Sequence, residues 1–308
     1  MKALTAAVDQ GDGPRSDPAL GRPPEVRLVL GGGRVVHLRA VLARLCYAYF
    51  VLNRSPLGKG FVRREVLPRV APGWPSAIRV SMLNGPVVDF GWGEVIGCSF
   101  AISGSFEPAE LAAISRLALP GTCVIDVGAN VGLMALVAAA AVGPTGSVVA
   151  VEPLPVNLVR LAENIQKNRY PWVQIEPAAA GSETGTATLH VTRDSAYPSL
   201  KTPAGGHRVI DAIAVSLRTI DNVWRERGMP RVSLLKVDVE GYELDVLRGA
   251  ATLLKTCRPV VLAESHEEHL GAVDALLAQH GYQMDTPPGF SPWNHLWVAG
   301  DHHDGGTR

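Results

Sequence analysis

The sequence predicts an α/β domain built on a mostly parallel sheet with helices on both faces. Three observations carry that prediction. From about residue 121 onward, short apolar runs that read as strands alternate with segments of helical period. The strand-like runs, Cys123 to Val127 and Ser147 to Val151 among them, are short and apolar, as strands covered on both faces are. The first of them runs directly into a glycine-bearing turn at the start of a helix. With 308 residues the chain is long enough for one large domain or two small ones with a sizeable core.

Taken in order, residues 1–24 carry acidic residues early and no long apolar segment, so they read as a disordered tail and not as a secretory signal. Residues 25–118 form an N-terminal extension of helix and β-ribbon. Within it, Val41 to Val70 has a helical pattern broken by Ser55-Pro56 and Gly58-Lys59-Gly60. Ile78 to Met82 and Val87 to Phe90 flank Leu83-Asn84-Gly85-Pro86, where Asn-Gly signals a tight hairpin. Glu107 to Leu117 reads as a helix with Pro108 near its first position, and no other helix is expected before the core domain.

The core domain spans 119–300. Helices are expected at Val131 to Val142, Leu154 to Asn168, Tyr242 to Leu254 and Glu267 to His280, the last closed by Gly281 as a left-handed cap. Strands are expected at Val173 to Glu176, Val232 to Val237, Pro259 to Ala263 and His295 to Ala299, with Thr186 to Val191 and Val209 to Val215 in an excursion between them. Val131 to Val151 carries no charge over 21 positions, but Gly143-Pro144-Thr145-Gly146 divides it into a buried helix, a turn and a strand instead of a membrane span. Residues 301–308 are a polar tail.

Composition narrows the function. Lys plus Arg and Asp plus Glu both number 29, so the long-range attraction to phosphate that nucleic-acid binders use is missing. A small uncharged or mixed-charge substrate is expected, with no nucleic-acid partner and no integral membrane segment, in a cytoplasmic protein. Four cysteines without a CxxC pair suggest neither a disulfide framework nor a zinc site.

The loop Asp126-Val127-Gly128-Ala129-Asn130-Val131-Gly132 lacks the full G-x-G-x-x-G of a dinucleotide site. Its glycines would let a ligand approach the backbone. Asp126 would repel a pyrophosphate, yet it could orient an ammonium directly or through water. Glu152, 24 residues after Gly128, ends the second strand, where a carboxylate accepts hydrogen bonds from ribose hydroxyls. Together these point to a nucleoside cofactor without phosphates, S-adenosylmethionine; the competing reading is that both carboxylates only cap helices.

With Val151-Glu152-Pro153, Lys236-Val237-Asp238-Val239-Glu240-Gly241-Tyr242-Glu243 and Ala263-Glu264 following in order, the chain resembles the FkbM family of S-adenosylmethionine-dependent methyltransferases over about two thirds of its length. The resemblance implies a class I, Rossmann-like seven-stranded sheet with an antiparallel final strand, and O-methylation of a hydroxyl on a small natural product or sugar. The expected cofactor set is Asp126, Gly128, Asn130, Gly132, Glu152 and Ala179. The Thr-Leu-Asp step often seen before the fourth strand reads Thr219-Ile220-Asp221 here.

Asp238 and Glu264 follow the fourth and fifth strands, with His266 two residues further on. Three readings stay open. They hold a magnesium or manganese ion through Asp238 and Glu264; one of the three is a metal-free general base; or the carboxylates serve caps and backbone amides. Lys236, a charge inside an apolar strand, is expected to pair with a carboxylate. Phe106-Glu107 and the stretch from Asp194 to Ser199 are candidate walls over the crevice. His266-Glu267-Glu268-His269 has the wrong spacing for a zinc-protease helix. A non-catalytic binding protein of the same fold and, behind it, an NAD-dependent oxidoreductase are the alternatives.

Overall fold

The structure, a computed structural model, describes residues 25–30, 35–37, 75–83, 85–91, 94–192, 199–200 and 209–300. The expected tails, the helical pattern of Val41 to Val70, Asn84 and most of the 194–199 stretch lie outside the described residues. Near the N-terminus, β1 (Glu25–Leu30), β2 (Val35–His37), β3 (Pro75–Ser81) and β4 (Val87–Gly91) form an antiparallel sheet in the order β2-β1-β3-β4. The expected ribbon is its β3–β4 half.

Two helices follow, α1 (Val95–Ser103) and α2 (Pro108–Leu117). The first was not expected from the sequence. Its residues, VIGCSFAIS, are apolar all round, so they carry no 3.6-residue period to announce a helix. Packing decides it instead: Phe100 is buried with Ile78, Phe90, Leu133 and Leu136, and Gly97 admits the side chain of Phe90 so closely that a Cβ would lie 2.6 Å from it.

The central sheet contains β5 (Cys123–Val127), β6 (Ser147–Val151), β7 (Val173–Glu176), β11 (Val232–Val237), β12 (Val260–Glu264), β13 (Tyr282–Met284) and β14 (Asn294–Ala299). Its order is β13-β14-β12-β11-β5-β6-β7. Strands β12, β11, β5, β6 and β7 are mutually parallel, and β14 runs antiparallel to both of its neighbours. This is the seven-stranded class I sheet with a reversed last strand.

Helices α3 (Leu133–Val142) and α4 (Pro155–Asn168) cover one face together with α2. The other face is covered by α5 (Ile220–Glu226), α6 (Glu243–Arg248), α7 (Ala251–Cys257) and α8 (Glu267–Gln279). Alternation along β5 divides the strand between the two: Cys123, Ile125 and Val127 pack with the second group, Val124 with the first. A third sheet, of β8 (Ala179–Ala180), β9 (Gly185–Thr192) and β10 (Val209–Arg218), accommodates the excursion as an antiparallel β9–β10 pair fastened to the core through parallel β8.

The N-terminal sheet is fixed to the core by amide side chains. On α4, Asn164 and Asn168 sit four residues apart on one face and act as a surrogate strand for the edge of β4. Asn164 accepts from Asp89 N at 2.9 Å and donates to Asp89 O at 3.1 Å; Asn168 does the same for Val87, both at 2.7 Å. Asn164 also donates to Val131 O at 2.9 Å, which ties this sheet to the loop after β5.

A single helix over 242–254 was expected, and two are found. The break falls at Gly249-Ala250, where Asp221 accepts from Thr252 N and Leu253 N, both at 2.8 Å, and so caps α7. Its neighbour Thr219 caps α5 by accepting from Asn222 N at 3.2 Å. No helix among the described residues is long and apolar enough to cross a membrane. Because a Cβ on Gly249 would lie 2.0 Å from the carbonyl oxygen of Gly181, backbone against backbone, Gly249→Ala is expected to lower stability by about 2–3 kcal/mol. A fall in the thermal unfolding midpoint of several degrees, with the far-ultraviolet spectrum retained, is the check.

Candidate functional site

The chain reverses direction across the sheet between β5 and β11, and the crevice at such a switch point is where open α/β sheets bind ligands. A cavity of about 220 Å³ opens there, lined by the loop after β5, the ends of β6, β11 and β12, β8, and residues of α1 and the start of α2.

The loop after β5 is shaped by the protein's own backbone. Gly128 has φ 80°, and a Cβ there would lie 1.8 Å from the carbonyl oxygen of Asp238. Gly132 has φ 98°, and a Cβ there would lie 2.6 Å from Leu161 Cδ1. The sequence reading assigned both glycines to ligand approach; the structure assigns them to close contact with β11 and α4. Gly128 also lines the cavity, whereas Gly132 is not among its lining residues. The amides of Gly128 and Ala129 donate to Val151 O at 2.9 and 3.0 Å, which holds the loop against the end of β6.

Glu152 is buried at that end and faces the cavity. Its Oε2 accepts from Asn130 N at 2.8 Å, and its Oε1 accepts from Leu154 N at 2.8 Å and from Asn157 Nδ2 at 3.3 Å. Asn130 adopts φ 52° to bring its amide there. Burial pushes the carboxyl of Glu152 up to about 7, against the three donors that pull it down. Both oxygens are fixed in direction; Oε1 is filled by its two donors, and Oε2, with one, keeps lone-pair capacity for a further donor. Ala179 lines the cavity beside Ala178 and Ala180.

Asp126 stands elsewhere. It is paired in register with Lys236 across β5 and β11, so both side chains leave the same face of the sheet. Lys236 Nζ lies 3.4 Å from Asp126 Oδ1, 3.1 Å from Asp238 Oδ2 and 3.4 Å from Gly128 O. Asp126 is buried behind the loop and is not among the cavity-lining residues, while Lys236 and Asp238 are. The ammonium beside Asp126 is thus one the chain supplies. Although burial opposes its charge, the carboxylates of Asp126 and Asp238 hold Lys236 firmly protonated.

At the ends of β11 and β12, Asp238, Glu240 and Glu264 each offer an oxygen within 4.8 Å of the others. The expectation that Asp238 and Glu264 share one crevice holds because β11 and β12 are parallel neighbours. Burial and the charge of Asp238 push Glu264 up to about 10, and burial with Asp238 and Glu243 pushes Glu240 up to about 8. Burial works against the ionised form of Asp238 as well, but Lys236 and a hydrogen bond with Glu264 keep it below the usual carboxylate range. The result is an ionised Asp238 beside a protonated Glu264. Such a set can share and accept a proton, and its oxygens are also the hard donors a magnesium ion takes.

His266 is not brought into the cavity. It occupies the cap position of α8 without a side-chain cap bond, and its ring lies against Trp293 with centroids 4.7 Å apart. Phe106 and Glu107 do form wall, as does Leu200, and Ser199 Oγ donates to Glu240 O at 2.9 Å, so the end of the excursion reaches the site. Glu107 holds φ 43°, and its Oε1 accepts from Asn294 Nδ2 at 3.1 Å. Burial and Asp238 push its carboxyl up to about 7. Sequence reasoning missed Glu240 as a site residue and took Lys236 as structural only. A signal for both was present: Lys236, Asp238 and Glu240 recur at every second position out of an apolar strand, which puts them on one side.

Comparison with known proteins gives the family. The family described as "Methyltransferase FkbM domain" matches residues 126–284, just over half of the chain. The chain belongs to the FkbM methyltransferase family. Among curated FkbM relatives, 31-O-demethyl-FK506 methyltransferase FkbM of Streptomyces tacrolimicus is 31% identical over 194 residues, covering 54% of this chain and 74% of the relative. Hexuronic acid methyltransferase AglP of Haloferax volcanii is 31% identical over 139 residues, 44% of this chain and 53% of the relative. A solved structure, methyltransferase FkbM from Methylobacillus flagellatus KT, aligns with TM-score 0.42 and 19% identity, covering 57% of this chain and 43% of that one.

Removing one member of a buried ion pair strands the other. Lys236→Met is therefore expected to cost about 3–5 kcal/mol of stability, while the double variant Asp126→Asn with Lys236→Met recovers most of it. Urea unfolding of the three proteins measures both values.

Proposed function

We propose that this chain transfers a methyl group from S-adenosylmethionine to a hydroxyl of a small-molecule acceptor. The observation that carries the reading is that Asp238, Glu240 and Glu264 each offer an oxygen within 4.8 Å of the others in the same cavity as the glycine loop and the oriented carboxylate of Glu152. Family membership supports methyl transfer, and a relative whose name gives 31-O-demethyl-FK506 as its substrate supports oxygen as the target.

The chain's residues fit the cofactor part by part. Glu152 would offer the fixed acceptor Oε2 to a ribose hydroxyl, and Ala178, Ala179 and Val151 would offer an apolar slot beside the loop after β5. Bound there, S-adenosylmethionine supplies an electrophilic methyl group on sulfur. The protein's task is alignment and proton removal, since an in-line displacement needs acceptor oxygen, carbon and sulfur held on one axis. Lys236 fixes Asp238 through one oxygen. A hydroxyl seated beside Asp238 would donate its hydrogen bond to that carboxylate and give its proton to Asp238, the ionised member of the set, as the C–O bond forms and the methyl carbon's bond to sulfur breaks, leaving a neutral thioether. Phe106 and the apolar residues of α1 exclude water from that end.

Two measurements test this reading. Isothermal titration is expected to give micromolar binding of S-adenosylmethionine by the wild type, weakened by about tenfold or more in Glu152→Gln, because the ribose hydroxyl then loses a charged acceptor. Incubation with methyl-labelled S-adenosylmethionine and a panel of polyols, macrolides and sugars, with and without magnesium, is expected to give methyl ethers. Asp238→Asn is expected to lower turnover by about a hundredfold. Labelling confined to amine acceptors contradicts oxygen as the target.

A further inference from the structure

We infer that Trp293, backed by His266, is a platform at the rim of the cavity on which a saturated, hydroxyl-bearing ring of the acceptor lies. The acceptor is then a cyclic polyol of the pyranose kind and neither an open-chain alcohol nor a phenol. The inference rests on the hydroxyl-methylation reading above and adds the part of the acceptor that the protein grips away from the reacting atoms. Trp293 is the only exposed Phe, Tyr or Trp among the described residues. Its indole N–H also stands apart. Those of Trp172, Trp224 and Trp297 donate to Ala139 O, Pro230 O and Asp274 Oδ1 at 2.9, 2.8 and 2.9 Å, whereas that of Trp293 has no partner among the described residues. The side chain thus offers solvent both a flat apolar face and an unused donor at its edge.

Although exposed, the ring has a fixed base. Trp293 O accepts from Ser265 N at 2.7 Å, and the ring lies against that of His266 with centroids 4.7 Å apart. The next residue, Asn294, stands opposite Glu264 in the β12–β14 pair and donates to Glu107 Oε1 at 3.1 Å and to Glu110 Oε1 at 3.2 Å. Glu110 Oε1 also accepts from Ser291 N at 2.5 Å, which holds the turn that precedes the ring. Since Glu264 and Glu107 both line the cavity, the platform stands one residue from a group that touches two of its walls. A surface held in place before a ligand arrives loses little freedom on binding it. A pyranose carries C–H groups on one face and hydroxyls around its edge. The face matches the indole; the edge can accept from the indole N–H and bring one hydroxyl into the cavity beside Asp238. An open-chain polyol has no such face, and a phenol has the face without the ring of hydroxyls.

Saturation-transfer nuclear magnetic resonance on the full chain tests the inference, with the methyl glycosides of glucose, mannose, galactose and rhamnose, with glucitol and mannitol, and with catechol as probes. Wild type is expected to saturate the ring protons of at least one glycoside and to leave the alditols and catechol weaker. Trp293→Ala is expected to weaken binding of that glycoside by about tenfold, Trp293→Phe to keep most of it, and Val159→Ala, an exposed control, to change nothing. In the labelled-methyl assay Trp293→Ala is expected to raise KM for the same glycoside by about tenfold, with kcat within about twofold. Circular dichroism reports folding, and the wild-type contrast between glycosides and alditols decides the matter even if Trp293→Ala fails to fold. No glycoside signal from a folded wild type, a stronger signal from an alditol or catechol, or a glycoside affinity unchanged in folded Trp293→Ala overturns the inference. S-adenosylmethionine titrated into the same samples separates the two readings: cofactor binding without any glycoside signal removes the platform alone, whereas a folded wild type that does not bind the cofactor removes methyl transfer and the acceptor assignment with it.

Discussion

Lys236 stands at the point where the sheet, the loop after β5 and the acidic end of the cavity meet. Its stem leaves the central strand β11 opposite Asp126 on β5, and its ammonium spans Asp126, Gly128 O and Asp238. A charge in that position is tolerable only because two carboxylates neutralise it, and one of those carboxylates is in turn kept ionised by it. The same contact therefore satisfies a buried charge, braces the loop and sets which carboxylate at the cavity is an anion.

The close approach of Asp238 to Gly128 belongs to the same arrangement. The carbonyl of Asp238 occupies the space a side chain would take at Gly128, so the loop and the end of β11 advance into the crevice together. Asn130 passes the loop's position on to Glu152, and Asn164 ties Val131 to the N-terminal sheet. Residues of the N-terminal extension thereby become part of the cavity wall: Phe106 and Glu107 sit opposite Asp238 although they precede the family's segment. Three wall residues that are not glycine, Glu107, Asn130 and Glu240, adopt left-handed backbone angles. Strain of that kind costs about 1–3 kcal/mol each and persists where the surrounding structure holds it.

Much of the fold was legible because its signals are local. Six strands of the central sheet, all but β13, with α3, α4 and α8 and the β3–β4 hairpin follow from apolar runs, helical period and turn residues read a few positions at a time. The break at Gly249-Ala250 was not, since it depends on Asp221, thirty residues upstream, capping α7, and on Gly181 pressing against Gly249. Helix α1 was hidden for a different reason: a segment that is apolar on every side has no pattern, and only its burial against β3, β4 and α3 selects a helix.

For the site, the sequence by itself determined which residues emerge at the ends of the strands: Glu152 after β6, Asp238 and Glu240 after β11, Glu264 after β12, and the glycines after β5. Parallel strands with short helical connections place those ends on one edge of the sheet, so the chemistry of that edge is written in chain order. Which of the residues share the cavity was decided only by the tertiary structure. It put Asp126 behind the loop with Lys236, turned His266 onto Trp293, and brought Glu107 in from before the core. The physical reason is that charge and burial depend on neighbours distant in sequence: a carboxylate becomes an anion, a proton donor or half of a buried pair according to what the fold sets beside it.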